Sequence, residues 1–163
     1  MYLQTRQSSP RAGSSAIWMM KATSDPLLLD VNVLLALAWP SHQFHLAAEA
    51  ALTGQIWVTC AITELAFVRL SMVAAVVGLP QSAPTALGVL GSMTADPRHR
   101  YWSDLPDVGD ASRHRAFERV MGHRRVNDAY LLELARRKGG RLLTFDRRLE
   151  ALGAEGVAEV LAP

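Results

Sequence analysis

The sequence predicts a three-layer α/β/α domain with a central parallel sheet of four or five strands. Short apolar runs, too short for helices, recur between stretches of helical periodicity, as at LLLD (27–30), IWVT (56–59) and RLLTFD (141–146). These runs are continuously apolar rather than alternating, as expected of strands buried on both faces. Half of the 163 residues are hydrophobic, so one core of ordinary size forms without disulfide staples.

Each element has a local cause. LLLD is a buried strand that ends in a carboxylate, and VNVLLALAW is a short helix stopped by Pro40. Residues 44–53 place Phe44, Ala47, Ala48, Ala51 and Leu52 on one helical face, with Gly54 ending the helix. After the strand at 56–59 the pattern predicts one long helix over 60–77, closed by Gly78-Leu79-Pro80. Pro84 suits the first turn of a helix near 84–93. A strand and turn follow at 99–106, then a polar, irregular stretch at 107–125 with a helical turn near Arg113–Val120. The next helix turns Val126, Tyr130, Leu131, Leu134 and Ala135 inward and caps on Gly139-Gly140. A strand at 141–146, a short helix RRLEAL and a final strand VAEVLA close the chain.

Residues 1–25 lack apolar periodicity and read as a disordered N-terminal tail, with 26–163 as the domain. The tail has no secretory h-region, and Met19 or Met20 would serve as a start as well as Met1. No run reaches membrane-spanning length, because Glu64 and Arg69 interrupt the longest. A single cysteine, Cys60, excludes a disulfide framework and fits a reducing, cytoplasmic setting with an inert buried thiol. Net charge is +2 and the pI about 9.0, a weak preference for an acidic partner. The distribution says more: residues 113–125 carry Arg113, Arg115, Arg119, Arg124 and Arg125 with His114 and His123, against Glu118 alone.

The acids carry the chemistry. Asp30 and Asp146 end strands, on the rim where open α/β sheets bind ligands. Glu64 lies near the start of the helix after the second strand, and Asp128 in the first turn of the helix before the fourth. Singly, each has a bland explanation: Asp128 favours the helix dipole, Asp146 pairs with Arg147 or Arg148, Glu64 pairs poorly with Arg69. Four together at one rim repel, and a hard cation such as Mg²⁺ or Mn²⁺ relieves them. One or two such ions polarise a phosphodiester and activate water. Asn32 and Thr144 are spaced to support the outer acids by hydrogen bonds. The sequence has no G-x-G-x-x-G, P-loop, G-x-S-x-G elbow or Asp-x-Asp, and its histidines share no metal-ligand spacing.

LLLDVNVLLAL, ITELAFVRL and NDAYLLELARRKGGRLLTFD, with acids in the order D…E…D…D, resemble a PIN domain, and more narrowly the VapC-type toxins of bacterial toxin–antitoxin pairs. The stretch GHRRVNDAYLLELARRKGGRLLTFD is similar to a subgroup abundant in mycobacteria. The resemblance covers about residues 26–162. It implies that Asp30, Glu64, Asp128 and Asp146 bind Mg²⁺ or Mn²⁺, with Thr144 as the usual hydroxyl beside the last acid. Asn127 stands where the subgroup often has Thr, and Asn also starts a helix well. The resemblance further implies an endoribonuclease acting on structured RNA (tRNA or rRNA), a VapB-type antitoxin whose C-terminal segment blocks the site, and a homodimer. Arg124 and Arg125, just before Asp128, are the expected RNA-binding residues, since an acidic pocket needs guanidinium groups to hold a phosphate backbone. Apolar surface on helices 44–53 and 60–77, bordered by Trp39 and Phe44, is the expected antitoxin groove. The alternatives are a PIN-type RNA-processing nuclease without a toxin role, against which a short upstream frame with a DNA-binding N-terminus would favour the toxin, and a non-catalytic binding module, whose signature would be loss of an acid.

Overall fold

The structure, a computed structural model, describes residues 25–162. The expected tail and the alternative starts at Met19 and Met20 lie outside the described residues, Asp25 apart. Five strands form one all-parallel sheet: β1 (Leu27–Leu29), β2 (Trp57–Cys60), β3 (His99–Trp102), β4 (Arg141–Thr144) and β5 (Ala158–Val160), in the order β3-β2-β1-β4-β5. In register, Leu27 faces Trp57 on one side and Arg141 on the other, which sets the carboxyl ends of β1 and β4 side by side.

Both faces of the sheet are covered, as parallel sheets require. Leu27, Leu29, Trp57 and Leu143 point to one face, where they pack with α1 (Val31–Ala38), α2 (His45–Leu52), α3 (Ala61–Ser71) and α5 (Ala83–Thr94). Leu28, Val58, Cys60 and Leu142 point to the other, against α7 (Arg115–Glu118), α8 (Val126–Arg137) and the 3-10 segment Arg147–Leu152. Cys60 is fully buried and free, as expected.

Two expectations need correction. The helix over 60–77 is two: α3 ends at Ser71, Val73 is extended (φ −104°, ψ 112°), and the short α4 (Ala74–Val77) follows. No glycine or proline marks this break; the Ser71 carbonyl, freed by it, accepts the Gln81 N–H instead. Val126 is 41% exposed rather than inward, because α8 turns the continuous run Ala129–Ala135 into the core, Glu133 included. Trp39 stacks on Phe67 and Phe44 on Phe145, and Trp39 also lines an open pocket with His42, Val76 and Val77.

Buried Glu133 organises the irregular stretch before α8. It receives hydrogen bonds from Arg136 and Arg137 and faces His114 Nε2 at 3.4 Å, while Arg137 also pairs with Asp110. The stretch therefore folds as α6 (Val108–Ala111) and α7, anchored on α8, and its far end turns into a 3-10 segment at His123–Arg125. Gly122 makes that last turn at φ +92°, a conformation that strains residues with a Cβ.

Candidate active site

Where β1 and β4 end side by side, their last residues form a hydrogen-bonded clasp. Asp30, only 8% exposed, caps α1: its Oδ1 accepts the Val31 N–H at 2.7 Å. Its Oδ2 accepts from the Thr144 hydroxyl at 2.7 Å and from Asn32 Nδ2 at 2.9 Å. Thr144 Oγ1 in turn accepts from Asn32 Nδ2 (3.0 Å) and the Asp146 N–H (3.1 Å). Asn32 Oδ1 completes the ring by accepting the Phe145 N–H at 3.2 Å. The D-x-N and T-x-D pairs thus act as one unit: β1 supplies the carboxylate, β4 the hydroxyl, and the asparagine ties both.

Asp30, Asp128 and Asp146 line a single open pocket of about 450 Å³, together with Asn32, His123, Arg124, Arg125 and Arg148. Arg124, Asp30 and Asp128 also line an adjoining groove between α3 and α8, where Arg69 and Asn127 lie. Burial pushes the Asp30 carboxyl up to about 6; the Thr144 hydrogen bond opposes this, and the charges of Asp128 and Asp146 add to it. Asp128 is also shifted upward, by burial first and then by Asp146, against the pull of Arg125. Asp146 moves the other way, because Arg148 grips it with Nε and Nη2 at 2.8 and 2.7 Å. Arg125 Nη1 stands 3.7 Å from Asp128 Oδ2 and 3.9 Å from Asp146 Oδ2. Among the described residues, no three His, Cys, Asp or Glu side chains converge as a ready cation cage.

Glu64 is placed differently from the other three acids. It occupies the first turn of α3, beyond the carboxyl end of β2, but lines neither the pocket nor the groove. The Thr59 hydroxyl donates to its Oε1 at 2.6 Å and lies 2.8 Å from His99 Nε2. This Glu64–Thr59–His99 chain was not legible in the sequence, because β2 and β3 become neighbours only in the folded sheet. Arg148 was legible only as a neighbour able to neutralise Asp146.

The arrangement can bind a hard cation through carboxylate oxygens and a polyanion through guanidinium groups. The chain matches the PIN domain family over residues 27–155. It is 41% identical over 138 residues to Ribonuclease VapC39 of Mycobacterium tuberculosis, an alignment covering 82% of this chain and 98% of that one. Among solved structures it is similar to M. tuberculosis VapC20, described as a sarcin-ricin loop cleaving toxin (TM-score 0.57, 18% identity, 83% of this chain and 99% of that one). It is also similar to VapBC2 of Rickettsia felis bound to a promoter DNA fragment (TM-score 0.59, 10% identity, 84% and 99%). At these identities the two structures speak for the fold alone. The chain belongs to the PIN domain family, and within it to the VapC ribonucleases.

Proposed function

We propose that this protein is a Mg²⁺- or Mn²⁺-dependent endoribonuclease that cleaves structured RNA as the toxin of a toxin–antitoxin pair. The observation that carries the proposal is that Asp30, Asp128 and Asp146, from three distant segments, line one arginine-flanked pocket. The donor set fits the ion: carboxylate oxygens are the ligands that Mg²⁺ and Mn²⁺ prefer. Two of the three carboxyls are pushed toward the neutral form by burial and mutual repulsion, a bias that a cation reverses.

Asp30, Asp128 and Asp146 would hold the metal, with Glu64 proposed as the fourth acid from the same rim. A bound divalent ion supplies charge stabilisation at the phosphodiester and lowers the pKa of the attacking water. The chain's own residues do the rest. Thr144 and Asn32 hold Asp30 Oδ2 by hydrogen bonds, while the Val31 N–H holds Oδ1. Arg124 and Arg125 hold the phosphate backbone that the acids would otherwise repel. Such a protein acts where RNA is, in the cytoplasm; no described helix is long and apolar enough to cross a membrane. VapC relatives and the VapBC2 complex support a VapB-type antitoxin as partner, and the homodimer remains part of the proposal.

The test is cleavage of total RNA by the purified full chain with Mg²⁺, Mn²⁺ or EDTA, read by sequencing the new RNA ends. Discrete cuts that require the metal and vanish in Asp128→Asn are expected, while that variant keeps or tightens RNA binding, having lost a negative charge. Cleavage by Asp128→Asn at the wild-type rate would overturn the assignment. Replacing Arg124 and Arg125 with Gln should weaken RNA binding and flatten its salt dependence by about 0.7 per lost phosphate contact.

A further inference from the structure

Asp146 is approached by two guanidinium groups in unlike ways. Arg148 is bidentate, with its donors 2.7–2.8 Å from the carboxylate, and its side chain is 75% exposed. Arg125 is the reverse. Its side chain is only 21% exposed, its Nη1 is buried, and that nitrogen has no hydrogen-bond partner among the described residues. It lies near both Asp128 and Asp146, yet at 3.7 and 3.9 Å it is beyond the usual 2.7–3.2 Å of a hydrogen bond to either. A buried donor left unmade is costly, and burying it midway between two carboxylates leaves Coulomb attraction as its compensation. The backbone puts it there: Arg125 ends the 3-10 segment at the mouth of α8, three residues before Asp128 on the same helical face.

Resting on the function proposed above, we infer that Arg125 is a built-in counter-ion of the carboxylate pair Asp128–Asp146, displaced by the divalent metal and thereby released to bind the RNA phosphate. The guanidinium and the metal neutralise the same two carboxylates, so each weakens the other's hold. The absence of any direct hydrogen bond makes the arginine displaceable. Arg148, doubly bonded to Asp146, lacks that looseness, and Arg124 lines the pocket without pairing with either acid. RNA and metal binding are then coupled through one side chain. Phosphate that draws Arg125 away strengthens the metal site, and metal that expels Arg125 strengthens the RNA site, by the same factor.

The experiment titrates Mn²⁺ alone into the full chain and its variants by calorimetry, with melting curves to check folding. Arg125→Gln is expected to bind Mn²⁺ about tenfold tighter than wild type, a difference of about 1.4 kcal/mol. Arg124→Gln, which removes the same charge from the same pocket, is expected to change it less than about twofold, since a charge not engaged with the carboxylates acts only through the screened field. In a second arm, a 2′-O-methyl oligoribonucleotide that resists cleavage tightens Mn²⁺ binding in wild type and does so less in Arg125→Gln. Mn²⁺ affinity of Arg125→Gln equal to or weaker than wild type overturns the inference. Equal tightening in Arg124→Gln does so too, because the effect is then net charge alone. Should Arg125→Gln fail to fold, Arg125→Lys replaces it: its compact ammonium cannot span both acids, so Mn²⁺ binding must still tighten, and unchanged affinity overturns the inference. Wild type that binds no Mn²⁺ overturns the metal-dependent function and this inference together, whereas wild-type binding that Arg125→Gln leaves unchanged overturns the inference alone.

Discussion

The Thr144 hydroxyl donates a 2.7 Å hydrogen bond to Asp30 Oδ2, joining residues 114 positions apart in the chain. The bond holds a buried carboxylate in one orientation and removes one route by which a protein relaxes an acid, which is to rotate it toward water. Several measurable consequences stem from this clasp and its neighbours.

With EDTA present, the protein should lose stability as pH rises from 5 to 7. Asp30 is raised from 3.8 to about 6 in the folded chain, so its proton favours the folded state. That contribution is complete below pH 3.8 and is lost as pH climbs through about 6, for at most about 3 kcal/mol. Asp30→Asn cannot titrate, so the wild-type-minus-variant difference in melting temperature isolates the Asp30 contribution from every other group. Mg²⁺ at pH 7 should restore the wild-type loss. A difference that stays flat between pH 5 and 7 would show that Asp30 does not titrate there.

Thr144→Val should lower Mn²⁺ affinity by about 10- to 100-fold, the usual cost of losing a hydrogen bond that orients a metal-binding carboxylate. Thr144 Oγ1 serves Asp30, Asn32 and the Asp146 N–H at once, so all three lose a partner. Calorimetric titration reads the affinity; a change under twofold would make the hydroxyl a packing group.

Glu64→Gln should slow single-turnover RNA cleavage more than Thr59→Val does. The first removes the proposed fourth acid, and the second only the hydroxyl that steers it at 2.6 Å. A wild-type rate in Glu64→Gln would leave the site to the three aspartates that share the pocket.

Gly140→Ala should destabilise the fold by about 1–3 kcal/mol, the range for overpacking a well-filled site. A Cβ there would lie 2.6 Å from the Pro26 carbonyl oxygen and 2.9 Å from Trp102 Cη2. The oxygen belongs to backbone that bonds the Arg141 N–H in the same register, so it cannot yield cheaply. Urea unfolding with an unchanged midpoint would refute the clash.

Much of this architecture was legible in the sequence, for reasons that particular residues make plain. LLLD and RLLTFD are too short and too continuously apolar to be amphipathic helices, and Asp30 and Asp146 at their ends follow from strand direction alone. The break after Ser71 was not legible, because the apolar pattern runs on through Val73, Val76 and Val77 with no Gly or Pro inside it. Helical periodicity predicts Val126 inward, but it opens α8 at the rim and is exposed there. At the site, the Arg125–Asp128 contact follows from helical spacing. The approach of Arg125 to Asp146 depends on β1, β4 and α8 meeting in space, as the Thr59–His99 contact depends on β2 lying beside β3. Spacing along the chain carries no trace of either.

The clasp also sets a time at which the protein becomes dangerous to its maker. Asp30 is among the first residues of the domain to leave the ribosome, and Thr144 and Asp146 among the last. A nascent chain short of β4 holds a lone carboxylate at the end of β1, with neither the hydroxyl that orients it nor the third acid of the pocket. Synthesis at about 5–20 residues per second therefore puts roughly 6 to 23 seconds between the first acid and the last of the pocket. On the function proposed above, the ribosome carries during that delay a nuclease whose proposed site is still incomplete.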